Sequence, residues 1–180
     1  MGTRDTYDQA LRDLDERILA MAGHAADAVE SAMDALETSN AEQARAVIDG
    51  DDRIDREEHA IEHLCLGLIA CQQPVASDLR KISTAMKVVT DLERLGDAAE
   101  DIAEISLRRG NEVIPELLGV LSDTGHEAAG MIRSAISAYA AEDLGLAADV
   151  IARDDVIDNY FCKIKASLAQ YFAQEHPEID

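Results

Sequence analysis

Tryptophan is absent from these 180 residues, aromatic residues as a whole make up 3% of them, and proline occurs three times. Set against 47% hydrophobic residues and an abundance of Ala, Leu, Ile, Asp and Glu, those scarcities describe a helical protein with enough apolar material for a real core. Basic residues are also few, 16 Lys and Arg against 37 Asp and Glu. The resulting net charge of −21 excludes the basic surface that non-specific nucleic-acid or anionic-membrane binding requires, and favours cations or basic partners. Cys65, Cys71 and Cys162 are an odd number on apolar helical stretches, so they read as core thiols in a reducing compartment. No stretch approaches the ~18 uncharged apolar residues of a membrane span, and no basic residues precede an apolar N-terminal run. Neither membrane insertion nor a signal peptide is expected, and the protein is placed in the cytoplasm.

What is present is a repeat. VIDGDDRID at Val47 to Asp55 recurs as VIARDDVID at Val150 to Asp158, an offset of 103 residues. The same offset carries Ala25-Ala26 onto Ala128-Ala129, Ser31-Ala32 onto Ser134-Ala135 and Pro74 onto Pro177 without a gap, which argues for duplication of one structural unit. Apolar residues at spacings of three and four, Leu11, Leu14, Ile18, Met21, Ala25, Val29, Met33 and Leu36, predict a first helix over Tyr7 to Thr38. Ser39-Asn40 is a turn in which either residue could cap a second helix, Ala41 to Gln72. Pro74 opens a third helix that closes at Arg108, Arg109 and Gly110. The second unit repeats the first two helices, Glu116 to Ala141 and Leu144 to Glu175, and its third would begin near position 177.

The expected fold is therefore all-α, two tandem three-helix-bundle repeats over residues 1–110 and 111–180, the second lacking its third helix. That gap predicts either a truncated form or a neighbouring chain that covers the open face, as in a homodimer or domain-swapped assembly.

The third helix raises a chemical question. Its stripe Leu79, Ile82, Met86 and Val89 leads, at ~100° per residue, into Glu93, Gly96, Asp97, Glu100 and Glu104, with Asp101 at the edge. Leu92, Leu95, Ala99 and Ile102 form a second apolar stripe, so the acids are not a frayed surface end. Carboxylates stacked on successive turns repel one another and call for a counter-charge. Glu93, Asp97 and Asp101 make a ladder suited to hard or borderline cations, and Gly96 clears space for a metal or a neighbouring helix. If the second and third helices run antiparallel, Asp51, Asp55 and Glu58 face that ladder. Asp154 and Asp158 supply the corresponding half in the second unit, where Phe161 stands in place of Glu58. The competing reading is a solvated acidic face with partners such as Arg53, Arg56 and Arg94.

QPVASDLRKISTAMKVVTDLERLGDAAEDIAE, Gln73 to Glu104, closely resembles the signature of the PhoU family of phosphate-uptake regulators, built from two tandem three-helix repeats. The family's E(D)xxxD motif falls on Asp51 with Asp55, Glu93 with Asp97, Asp97 with Asp101, and Asp154 with Asp158. The resemblance implies multinuclear clusters of divalent or trivalent metal ions, iron, zinc, manganese or magnesium. It also implies a cytoplasmic, non-enzymatic negative regulator that contacts the ATPase of the phosphate ABC transporter and the phosphate sensor histidine kinase. A PhoU-like adaptor for another transporter or kinase is an alternative. A ferritin-like dimetal carboxylate enzyme is disfavoured, because it expects Glu-x-x-His and the i+3 partners of Glu93 and Glu58 are Gly96 and Ile61. His59 and His63 share the i, i+4 spacing of a metal clamp without a HExxH motif, and His24 is a conceivable phosphoacceptor; His126 and His176 carry no motif.

Overall fold

A computed structural model describes residues 3–72, 74–109 and 115–175. Among them are six helices and no strand: α1 (Thr3–Thr38), α2 (Ala41–Gln72), α3 (Ala76–Arg109), α4 (Pro115–Ala141), α5 (Leu144–Ala152) and α6 (Asp154–Glu175). The expected stop at Gly110 and the repeat partner Pro177, like His176, lie outside the described residues.

The duplication is visible in the backbone. Ser39 (φ 54°) and Glu142 (φ 51°), related by the offset, both turn left-handed after α1 and α4. The following amides, Asn40 N–H and Asp143 N–H, donate back to Ala35 O at 3.1 Å and Ala138 O at 2.9 Å, which closes each helix end in the same way. Asn40 then caps α2, its side-chain oxygen accepting from the Glu42 and Gln43 amides at 3.2 Å. Asp143 caps α5 through Gly145 N–H at 2.8 Å and Leu146 N–H at 3.0 Å.

Two expectations need correction. The helix expected over Leu144 to Glu175 is interrupted at Arg153, whose amide bonds to both Asp149 O and Val150 O, a local tightening of the turn. The Arg153 side chain meanwhile reaches across to α4, donating to Glu127 at 2.8 Å and Ser134 Oγ at 3.3 Å; its counterpart in continuous α2 is Gly50. The third helix starts at Ala76 rather than Pro74, with Leu79 N–H bonded to Val75 O.

Helices α1, α2 and α3 pack on one another around Leu14, Ile18, Met21, Ile61, Cys65, Ile82 and Val89, all essentially inaccessible. Each of the aliphatic and methionine side chains among them contributes about 1.5–3 kcal/mol by leaving water. Helix α4 lies against the other side of α1, where Arg133 bonds Asp27 at 2.6 Å and Glu30 at 2.8 Å, and Ser122 donates to Glu37 at 2.6 Å. Helices α5 and α6 touch α4 and each other, and none of their described residues is buried. Matched by the offset, Ala32, Ile61 and Cys65 are buried while Ala135 is exposed and Ile164 and Leu168 are half-buried. Of the cysteines only Cys65 is a core thiol; Cys71 and Cys162 are exposed, and all three are free.

Candidate metal centre

The inward row of α3 runs Ile82, Ala85, Val89, Leu92, Gly96, Ala99, Ala103 and Ser106, all buried. Leu79, expected in this row, is 44% exposed. The core face is thus not exchanged for carboxylates. It narrows to small residues after Leu92, and Glu93, Glu100 and Glu104 flank it half-buried, with Asp97 and Asp101 exposed beyond them. Small residues bring α2 close. A Cβ on Gly96 would sit 2.9 Å from Asp51 Oδ1 and 3.0 Å from Ile54 Cδ1, so what the glycine admits is the neighbouring helix and its carboxylate.

The two helices are antiparallel, as expected, because Asp51 faces Glu100, Asp97 and Glu93 while Glu93 faces Glu58 and Asp55. Asp51, Asp55 and Asp97 each offer an oxygen, and the three oxygens lie within 4.8 Å of one another. Asp51 Oδ1 is buried and without a hydrogen-bond partner. Burial first, then the charges of Asp55, Glu100, Asp97 and Glu93, push the Asp51 carboxyl up to about 6. Burial and neighbouring carboxylates, Asp97 first among them, likewise raise Glu93, against a lowering by Arg94. Glu100 is raised by burial, then by Glu104, Asp97, Asp101 and Asp55.

The basic residues that could have neutralised this seam are engaged elsewhere or stand apart. Arg53 donates to Glu57 at 3.1 Å and to His24 Nε2 at 2.6 Å, and Arg94 pairs with Asp91 at 3.5 Å. Arg56 is exposed and lines a shallow pocket with Arg17 and Glu57. Among the described residues no ion pair reaches Asp51, Asp55, Glu58, Glu93, Asp97 or Asp101. An orphaned buried oxygen, an all-oxygen donor set and uncompensated negative charge fit a hard cation. Asp51, Asp55 and Asp97 would hold it, with Glu58, Glu93 and Glu100 alongside; Asp101 stands outside the tight group. Glu100 was absent from the expected ligand set although it lies on the Glu93–Asp97 stripe, and its signal was that spacing.

Asp154 and Asp158 are both exposed, and among the described residues no carboxylate group assembles around them. Phe161 at the Glu58 position is 56% exposed. His59 donates its Nδ1 proton to the Asp55 carbonyl at 2.8 Å, and His63 is exposed, so neither joins the cluster. His24 has both ring nitrogens committed, Nδ1 to Glu57 at 2.7 Å and Nε2 to Arg53, which leaves no free nitrogen for phosphoryl transfer.

The PhoU domain profile matches residues 18–106 and 121–180. A "Phosphate-specific transport system accessory protein PhoU homolog" of Clostridium acetobutylicum is 35% identical over 179 residues, 99% of this chain and 82% of the relative. A protein of the same description from Aquifex aeolicus is 35% identical, covering 94% of this chain and 76% of the relative. The crystal structure of PhoU from Pseudomonas aeruginosa superimposes with a TM-score of 0.89 at 30% identity, over 96% of this chain and 83% of that one.

Proposed function

The chain belongs to the PhoU family, and from that premise we propose that it is an accessory regulator of phosphate uptake whose α2–α3 seam is closed by bound metal ions. The observation that carries the metal reading is the buried, unpartnered Asp51 oxygen among carboxylates that form no ion pair among the described residues. Oxygen-only donors favour iron, manganese or magnesium over zinc. A cation there supplies positive charge between two helices, with no turnover chemistry required of it. The chain's own residues do the rest: Gly96 lets Asp51 approach, and Leu92, Ala99 and Ala103 hold α3 in register with α2.

Regulation then works through contact. The relatives' description as accessory proteins of phosphate-specific transport supports an action on the phosphate ABC transporter ATPase and on the sensor histidine kinase, as a cytoplasmic negative regulator without enzymatic activity. Among the described residues no helix is long and apolar enough to cross a membrane. A second copy of the chain covers the face of α5 and α6, a reading supported by the exposed Phe161 and Phe172 and by the lack of any buried residue among those described on the two helices. The test is capture of purified ATPase and kinase by the immobilised chain, against an ABC ATPase of another substrate class. Selective capture of either phosphate component is expected; equal capture of the unrelated ATPase, or capture of neither, contradicts the proposal and favours an adaptor in another pathway.

A further inference from the structure

We propose that the notch between α1 and α2 beside Gly50 is a socket for the guanidinium of an arginine carried by a partner protein. This goes beyond the metal reading and does not rest on it. The second unit shows the same socket filled from within. There Arg153 lays its side chain against α4, its Nε donating to Glu127 at 2.8 Å and its Nη1 to Ser134 Oγ at 3.3 Å. Its Nη2 lies 3.3 Å from where a Cβ on Gly130 would sit. The 103-residue offset carries Glu127, Gly130, Ser134 and Arg153 onto His24, Asp27, Ser31 and Gly50. All four of those positions line one cavity of about 300 Å³ in the first unit, and a Cβ on Gly50 would meet nothing within 4 Å. Where one repeat has an arginine, the other has an opening.

The opening keeps the chemistry of its filled counterpart. Ala28, Ala46 and Val47 offer apolar wall for the methylene stem of an arginine. The carboxylate is moved rather than lost: His24 replaces Glu127, while Asp27, one turn further along α1, replaces Gly130, the position nearest the guanidinium. Asp27 Oδ1 accepts from Arg133 at 2.6 Å, and among the described residues its other oxygen has no bond. Ser31 stands where Ser134 accepts from Arg153, and among the described residues its own hydroxyl makes no hydrogen bond. Two acceptors set side by side match the planar fork of arginine better than the point charge of lysine. Arg53 is tied to Glu57 and His24 at one end of the cavity, which stays open beside it.

The occupant comes from outside the fold. Only α1 and α2 line the notch, whereas α3 meets the pair from another side, through Gly96 against Asp51 and Ile54, so the notch is not the seat of a third helix. A cavity at the small end of the range for ligand sites holds one long side chain and not a helix. A net charge of −21 favours a basic guest, and arginine is among the residues that most often anchor protein interfaces.

One test returns an arginine to the chain. Gly50→Arg should melt several degrees above Gly50→Ala, and that surplus should vanish when both are made in an Asp27→Ala background. Arginine has no advantage over alanine in helix propensity, and its neighbours one turn away would be Ala46, Val47, Arg53 and Ile54, so α2 itself supplies no ion pair to explain a surplus. A second test titrates the full chain with N-acetyl-arginine methylamide, followed by amide NMR, beside the neutral citrulline analogue. Saturable shifts at Ser31, Gln43 and Gly50 are expected, at least fivefold weaker with citrulline, kept in Gly50→Ala and lost in Gly50→Arg. The proposal is overturned if Gly50→Arg is no more stable than Gly50→Ala, if its surplus survives loss of Asp27, or if the arginine derivative fails to saturate or is matched by citrulline. Free L-arginine binding tenfold or more tightly than the capped form would assign the socket to a free amino acid, which also overturns it.

Discussion

Gly96 decides how near Asp51 can come to α3. Replacing it by alanine gains about 1 kcal/mol of helix propensity, while the new Cβ, 2.9 Å from Asp51 Oδ1 and 3.0 Å from Ile54 Cδ1, must displace both side-chain ends. The two effects oppose each other in stability but not in ligation. Gly96→Ala should therefore melt within a few degrees of the wild type yet bind metal about tenfold or more weakly, read by calorimetric titration. The Asp51 carboxyl, raised to about 6, makes a second prediction. A carboxyl whose folded pKa lies above its unfolded value of about 4 retains in the fold a proton that the unfolded chain has lost. The associated stability is present below about pH 4 and is lost as pH rises through about 6. In chelator-treated protein Asp51→Asn should melt like the wild type at low pH and increasingly above it from pH 4 towards neutrality; saturating metal at neutral pH should reverse that order. A parallel pair of melting curves across pH would contradict it. At this scale the grouping of Asp51, Asp55 and Asp97 was legible from helical spacing together with an antiparallel pairing of the second and third helices. The outward position of Leu79 and the role of Glu100 were not, because periodicity gives an angle around a helix and not the distance to its neighbour.

Helix limits followed from caps and breakers where those signals are local. Asn40 caps α2 and Arg109 ends α3 as the sequence suggests. The break at Arg153 had no local breaker to reveal it: its cause includes a tertiary reach to Glu127 and Ser134 on α4. The contact of α4 with α1 was similarly hidden, since it depends on Gly125, where a Cβ would overlap Met33 of α1. One of the crowded atoms is the Met33 Cβ, which cannot move without its helix, so rotamer change alone does not relieve the clash. Gly125→Ala should destabilise the protein by about 1–3 kcal/mol despite its better helix propensity, the range for overpacking a close contact. Chemical denaturation with an unchanged slope and a lower midpoint would verify this; a midpoint at or above the wild type would contradict the close approach.

Over the whole molecule the duplication was the strongest sequence signal, and it persists in matched left-handed residues, helix-closing bonds and caps. Burial differs between the units: α1, α2 and α3 pack on a common core, while α5 and α6 touch α4 and each other and none of their described residues is buried. Phe161 and Phe172 are more than half exposed there. If a second copy covers that face, light scattering should report a dimer, and Phe161→Asp with Phe172→Asp should yield a folded monomer; a wild-type monomer at high concentration would contradict the reading. Among the described residues carboxylates converge at the α2–α3 seam, and none gathers around Asp154 and Asp158. Metal content of protein purified without chelator therefore tests the account most directly, with Glu93→Ala, Asp97→Ala and Asp154→Ala measured beside the wild type. The wild type and Asp154→Ala should retain bound metal, Asp97→Ala should lose most of it and Glu93→Ala part of it; equal metal content in all four proteins would contradict a centre built on the α2–α3 seam.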